Sequence, residues 1–165
     1  MDLKRPLRHL FMTHWRLRAA FPRRSLLAIE AAVRASHQAH VGQVQFAVEG
    51  ALHINALMKK ISARERAIDV FSALRIWDTE HNNGILIYVL LADRAVEIVA
   101  DRGIHAKVES GEWEAICHAM EAAFKRRAYE SGTLRGIEQV TELLKKHFPV
   151  HRPPCDELPS SPVVM

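Results

Sequence analysis

At 165 residues, with 48% hydrophobic and 25% charged residues, the chain has the size and composition of one globular domain. That excludes a modular multidomain protein, wholesale disorder and a fibrous repeat. The formal net charge of +4 is unevenly spread, because residues 1–24 hold seven Lys/Arg and one Asp, leaving 16 basic and 18 acidic residues for the remainder. The basic character therefore belongs to the N-terminus.

In chain order, Leu3, Leu7, Leu10, Leu17 and Phe21 recur at helical spacing while Arg5, Arg8 and Arg16 lie mostly off that face. Residues 1–24 thus read as a basic amphipathic helix ending near Pro22, fit either to dock on its own domain or to lie on an anionic membrane surface. Nucleic acid is not expected as a partner, since the basic residues form no extended patch interleaved with aromatics. No uninterrupted apolar core of a signal peptide is present, so the expected location is the cytoplasm, peripheral to the inner face of a membrane.

Residues 25–148 form the expected domain. Ser25 is placed to cap a helix running to about His40, with Leu26, Ile29 and Val33 on one face. Val44, Phe46 and Val48 then alternate with Gln43, Gln45 and Ala47, the pattern of a half-covered strand ending at Glu49. Ser62 and Glu65 fit a capping box for a second helix carrying Ile68, Phe71 and Leu74 toward Trp77. Residues 85–91 are apolar at every position, as in a central strand covered on both faces; the uncharged run around them has about half the ~20 residues a membrane-spanning helix needs. After the Ala92-Asp93-Arg94 turn, residues 95–101 alternate and read as the returning arm of a β-hairpin. Two helical stripes follow, Trp113, Ile116, Cys117, Met120 and Phe124, then Leu134, Ile137, Val140, Leu144 and Phe148. Residues 149–165, rich in proline, read as an irregular tail. The order predicts a three-layer α/β/α sandwich with a small mixed sheet: a parallel pair joined by a helix, plus an antiparallel hairpin.

In that topology the start of the second strand and the end of the third share one edge. Trp77, Asp78, Glu80, His81, Asn82, Asn83 and Gly84 would meet Asp101, Arg102, Gly103 and His105 there, in a polar concavity on loops held by buried strands. At the opposite edge Glu49, Asp93 and Arg94 read as a solvated hairpin turn. No GxGxxG, GxxxxGK[ST], GxSxG or HExxH motif occurs. His37 and His40 read as a boundary pair, not a metal site, and Cys117 as a small core residue; two cysteines, Cys117 and Cys155, without CxxC spacing make neither a disulfide framework nor a zinc site.

Residues from about Ser25 to Phe148 resemble the TPM domain, shared by thylakoid-lumen acid phosphatases, a worm receptor-modulating membrane protein and many bacterial proteins. The resemblance is carried by W-D-T-E-H-N-N-G-I-L-I-Y-V-L-L-A-D-R-A-V-E-I-V-A-D-R-G-I over 77–104, and by Phe124, Tyr129 and Gly136 in the closing helices. It implies a sheet between helices, and an acidic loop site for a divalent cation such as calcium, a hard ion that selects oxygen ligands. Departures from the family pattern stand at Asn82, where it has Asp before Asn-Gly, and at Asp101 to His105, where its G-Y-G-L-E reads D-R-G-I-H. Calcium held by Asp78, Glu80 and Asp101 is therefore expected to bind weakly if at all. The resemblance implies two functions: a non-catalytic binding or assembly module with a protein partner, linked to membrane or envelope protein maintenance; or a metal-assisted phosphatase acting on phosphomonoesters. In the second, Asp78, Glu80 and Asp101 would supply acid/base groups or ligands and Arg102 would hold a phosphate oxygen. The degraded acidic motif favours the first. The N-terminal helix adds a third, a membrane-surface adaptor.

Overall fold

A computed structural model describes residues 4–151 and 157–165. Leu3 and Cys155, both used in reading the sequence, lie outside those residues. The N-terminal segment forms two helices, α1 (Lys4–Leu10) and α2 (His14–Ala20), broken where Thr13 caps α2 by accepting from the Arg16 amide at 3.4 Å. The single amphipathic helix expected over 1–24 is thus corrected, because a capping residue lies in the middle of its apolar stripe. Helix α3 (Arg23–Ala39) starts two residues before Ser25, with Pro22 at its N-cap; Ser25 is buried inside it and its hydroxyl donates to the Glu130 carboxylate.

Strand β1 (Gln43–Glu49) is followed by a short helix α4 (Ile54–Met58) and by α5 (Ala63–Ala73). The Ser62/Glu65 capping box that opens α5 is formed in both directions. Helix α5 stops four residues short of Trp77 as Arg75 turns to a φ of 54°, a left-handed conformation that ends a helix, and it buries Ala67, Val70 and Phe71 while Ile68 faces out. Strands β2 (Gly84–Leu90) and β3 (Ala95–Ala100) form the hairpin, and α6 (Arg102–His105), α7 (Ser110–Lys125) and α8 (Tyr129–His147) complete the domain.

The sheet has the order β3-β2-β1-β4, where β4 (Val163–Val164) belongs to the tail expected to be irregular. β1 runs parallel to β2 in register Gln43↔Gly84 through Glu49↔Leu90, and β2 runs antiparallel to β3 with Ile85 opposite Ala100. Strand 85–91 is accordingly central, as its two-faced apolar sequence predicts. Its pleat divides the core. Ile85, Ile87, Val89 and Leu91 join Val44, Phe46 and Val48 beneath α3, α7 and α8, whereas Leu86, Tyr88 and Leu90 join Ala47 beneath α5. The result is the expected three-layer α/β sandwich.

β1 differs from its reading as half-covered, since all seven residues are buried. Its polar face is satisfied, not solvated: Gln43 Oε1 accepts from the Glu157 and Leu158 amides at 3.0 and 3.2 Å, and Gln45 Nε2 donates to the Ser161 carbonyl at 2.8 Å. Alternation of apolar and polar residues recorded the pleat correctly, but the polar side chains bind the tail instead of water. Gly84 is fixed by close approach and not by a turn. A Cβ there would sit 2.0 Å from the Ile76 carbonyl oxygen, so the loop leading into β2 packs directly on its backbone.

Candidate functional site

At the edge where β2 begins and β3 ends, the structure brings Asn82 and Asn83 against Asp101 to Gly103, as the topology predicted. Asn82, at a φ of 50°, accepts from the Gly103 amide through its carbonyl at 3.1 Å and from Arg102 Nε through its side chain, also at 3.1 Å. Gly103 is required by that contact, because a Cβ would stand 2.6 Å from the Asn82 carbonyl oxygen. Asp101 accepts from the Arg102 amide at 2.7 Å and so caps α6. Asn83 is 2% exposed; its Nδ2 donates to the Val41 carbonyl at 2.6 Å and its amide to Thr79 Oγ1 at 3.1 Å, tying the loop to the start of β1.

The other members of the cluster point elsewhere. Asp78 pairs with Arg75 at 2.6 Å, Glu80 is exposed with His81 at 3.9 Å, and the His105 side chain is exposed. Asp78, Glu80 and Asp101 therefore do not come together as the oxygen-rich set that calcium requires, and among the described residues no three His, Cys, Asp or Glu side chains do. The polar concavity expected here does not coincide with either cavity described below. Trp77, placed by the sequence reading in the site cluster, is 48% exposed, with the Arg75 guanidinium 5.8 Å above its ring, and the preceding Ile76 is buried.

His37 and His40 serve the fold. The Val44 amide donates to His37 Nε2 at 2.9 Å, and His40 Nε2 lies 2.7 Å from the Ser36 hydroxyl. Burial, then the charge on Glu97, pushes the Cys117 thiol up to about 12, so it stays a thiol packed on the core.

The opposite edge was read as a solvated turn and is the richer one. Glu49 is buried, and its carboxylate accepts from Arg66 Nε at 2.8 Å and from Tyr88 Oη at 2.6 Å. Asp93, 12% exposed at its side chain, accepts from Arg5 at 2.9 Å and lies 3.4 Å from Arg8 and 3.1 Å from His9 Nε2. His9 is itself buried and its Nδ1 accepts from the Leu52 amide at 3.0 Å. Asp93 is shielded because α1 folds over it, while Arg94 stays exposed.

Only part of the N-terminal apolar stripe is used in that docking. Leu17 and Phe21 enter the core, Phe21 lying 6.0 Å from Phe46 and 5.8 Å from Tyr129 between ring centroids. Leu7, Leu10, Phe11 and Trp15 remain 50%, 75%, 60% and 76% exposed. Beside them lies a cavity of about 1020 Å³ bounded by α2, the start of α3, the β2–β3 turn and the α7–α8 turn. Arg8, Arg16, Arg24, Arg94 and Arg127 line it, against one acid, Glu130, which is engaged by Ser25. A second cavity of about 450 Å³ adjoins Glu49 and Arg66. Of the first cavity the sequence offered only the N-terminal charge excess; its arginines come from five separated places in the chain.

A mixed β3-β2-β1-β4 sheet between helical layers, with the Asn82–Gly84 loop stitched to the Asp101–Gly103 turn, defines an α/β sandwich of a specific kind. The TPM domain matches residues 21–143, and the chain belongs to that family. Among solved structures, the BA42 protein of the psychrophilic bacterium Bizionia argentinensis is similar at 30% identity and a TM-score of 0.74, over 86% of this chain and 93% of that one. The N-terminal domain of a protein from P. gingivalis shares the fold at 16% identity and a TM-score of 0.63, over 79% of this chain and 81% of that one. No curated protein matches the chain. α1 and α2 both precede the segment that the family model matches.

Proposed function

We propose that the chain is a non-catalytic TPM module that rests on an anionic membrane surface through α1 and α2. The observation that carries this reading is the exposed row Leu7, Leu10, Phe11 and Trp15, set among exposed Arg8, Arg16 and Arg18 on a segment whose other side is anchored by Leu17, Phe21 and His9. Large apolar side chains at the interface gain from burial in the headgroup and acyl boundary, while the arginines meet anionic headgroups. No helix among the described residues is long and apolar enough to cross a membrane, so attachment through this face would be peripheral.

Purified protein should co-sediment with vesicles of phosphatidylcholine mixed with phosphatidylglycerol, bind vesicles of phosphatidylcholine alone more weakly, and lose about ten-fold in affinity when Phe11 and Trp15 are both replaced by Ser. Point variants are needed, because removing 1–24 would strip Leu17 and Phe21 from the core. Equal binding to both vesicle types, or none, would overturn the reading.

The non-catalytic part rests on what the loop carboxylates do. Asp101 caps a helix and Asp78 is held by Arg75, and among the described residues no three His, Cys, Asp or Glu side chains gather into a set of metal ligands. The expected result is no hydrolysis of p-nitrophenyl phosphate above background, with or without added divalent metal. Turnover that EDTA removes and Asp101→Ala abolishes would restore the phosphatase reading.

A further inference from the structure

We propose that the arginine-lined cavity beside α2 binds a phosphate group. Arg16, Arg24, Arg94 and Arg127 face one space, and none of them forms an ion pair with a described residue; Arg8 shares Asp93 at 3.4 Å. Like charges gathered around a cavity raise its potential and repel one another, and an anion seated among them relieves both effects. Guanidinium groups suit phosphate in particular, because each presents paired N–H donors in a plane that matches two phosphate oxygens. Trp15 and Tyr129 supply apolar walls, giving room for more than a bare anion.

The backbone makes two of these arginines replaceable. Arg94 and Arg127, which both line the cavity, stand in tight turns at φ of 53° and 61°, the left-handed region where glycine is the unstrained choice. The cavity also opens beside Leu91 and Ala92, beyond the carboxyl end of β2, the side of an open α/β sheet where ligands bind.

A phosphate could reach this site from a lipid headgroup or from a free phosphate compound. The lipid source rests on the membrane-surface reading, since exposed Trp15 belongs to both surfaces; the site itself does not. The experiment titrates the full chain with inorganic phosphate and with monomeric dihexanoyl phosphatidylglycerol by calorimetry, and repeats both with the Arg94→Gly/Arg127→Gly variant. Because glycine suits both turns, that variant is expected to keep its melting temperature while binding about ten-fold more weakly. Saturable binding stronger for the lipid monomer would assign the headgroup; equal binding would assign free phosphate. No saturable binding of either probe, or equal affinity in a folded double variant, would overturn the site. Vesicle binding that survived such a failure would leave the surface reading standing, and a working site without vesicle binding would defeat that reading alone.

Discussion

Replacing Arg66 by Ala should lower the stability of the fold by about 3 kcal/mol. Glu49 is 3% exposed at the end of β1, and Arg66 donates two hydrogen bonds to its carboxylate, from Nε at 2.8 Å and from Nη2 at 3.1 Å. Tyr88 donates the third at 2.6 Å; burial and then the bond to Glu49 push its phenol well above the ordinary range, so the O–H stays a donor. The Glu49 bond is also the main reason the Arg66 guanidinium holds its proton more firmly than usual. Without Arg66 the buried carboxylate is left with one neutral donor, which costs free energy. Adding Glu49→Gln to Arg66→Ala should recover part of the loss, since a neutral amide oxygen still accepts from Tyr88. Urea unfolding of the two single variants and the double would measure the coupling. A loss below about 1 kcal/mol for Arg66→Ala would place the pair with ordinary surface bridges.

Acid should weaken the protein through His40. Burial, reinforced by the neighbouring His37 and by Lys145 and opposed by a backbone hydrogen bond at Gly42, lowers its pKa from 6.5 to about 4. In the unfolded chain His40 takes up a proton as the pH falls through 6.5, whereas the folded protein resists until about 4. The unfolded state then binds more protons across that window, so stability present above 6.5 is lost as the pH drops toward 4. The contribution is about 3 kcal/mol. Unfolding measured at about pH 7.5 and about pH 4 should show His40→Gln losing that much less than the unaltered chain, because glutamine has no proton to gain. Equal losses in both proteins would assign the acid response to carboxylates instead.

The layers of this fold were legible wherever a pattern had one physical cause. Residues 85–91 are apolar at every position because helices cover both faces, and Ser62 with Glu65 announces α5 because a capping box needs those two residues at that spacing. Where two causes produce one pattern, the sequence misled. Gln43 and Gln45 are polar because they hold the tail, and a solvent-facing strand would carry similar residues. Leu7 and Leu17 share a helical stripe, yet Thr13 interrupts it and only Leu17 is buried. At the loop site, topology correctly joined Asn82 to Arg102, but a carboxylate that caps a helix, as Asp101 does, has the same letter as one that does chemistry. Glu49 and Asp93 were passed over because their partners lie far away in sequence, at Arg66 and in α1.

The tail that Gln43 and Gln45 hold has a consequence for how copies of the protein meet. β1 is buried along its whole length, and on the side away from β2 its backbone is closed by β4 at Ala47 and Val48 and by bonds through Met165 to Val48 and Gly50. Lifting that segment would expose the backbone donors and acceptors of a fully buried strand, together with the pocket that Leu158 fills. Such an edge is a template for another strand, and a second molecule in the same condition supplies one. The last residues thus act as a guard against edge-to-edge self-association, and the two buried glutamines are the latch that keeps the guard closed.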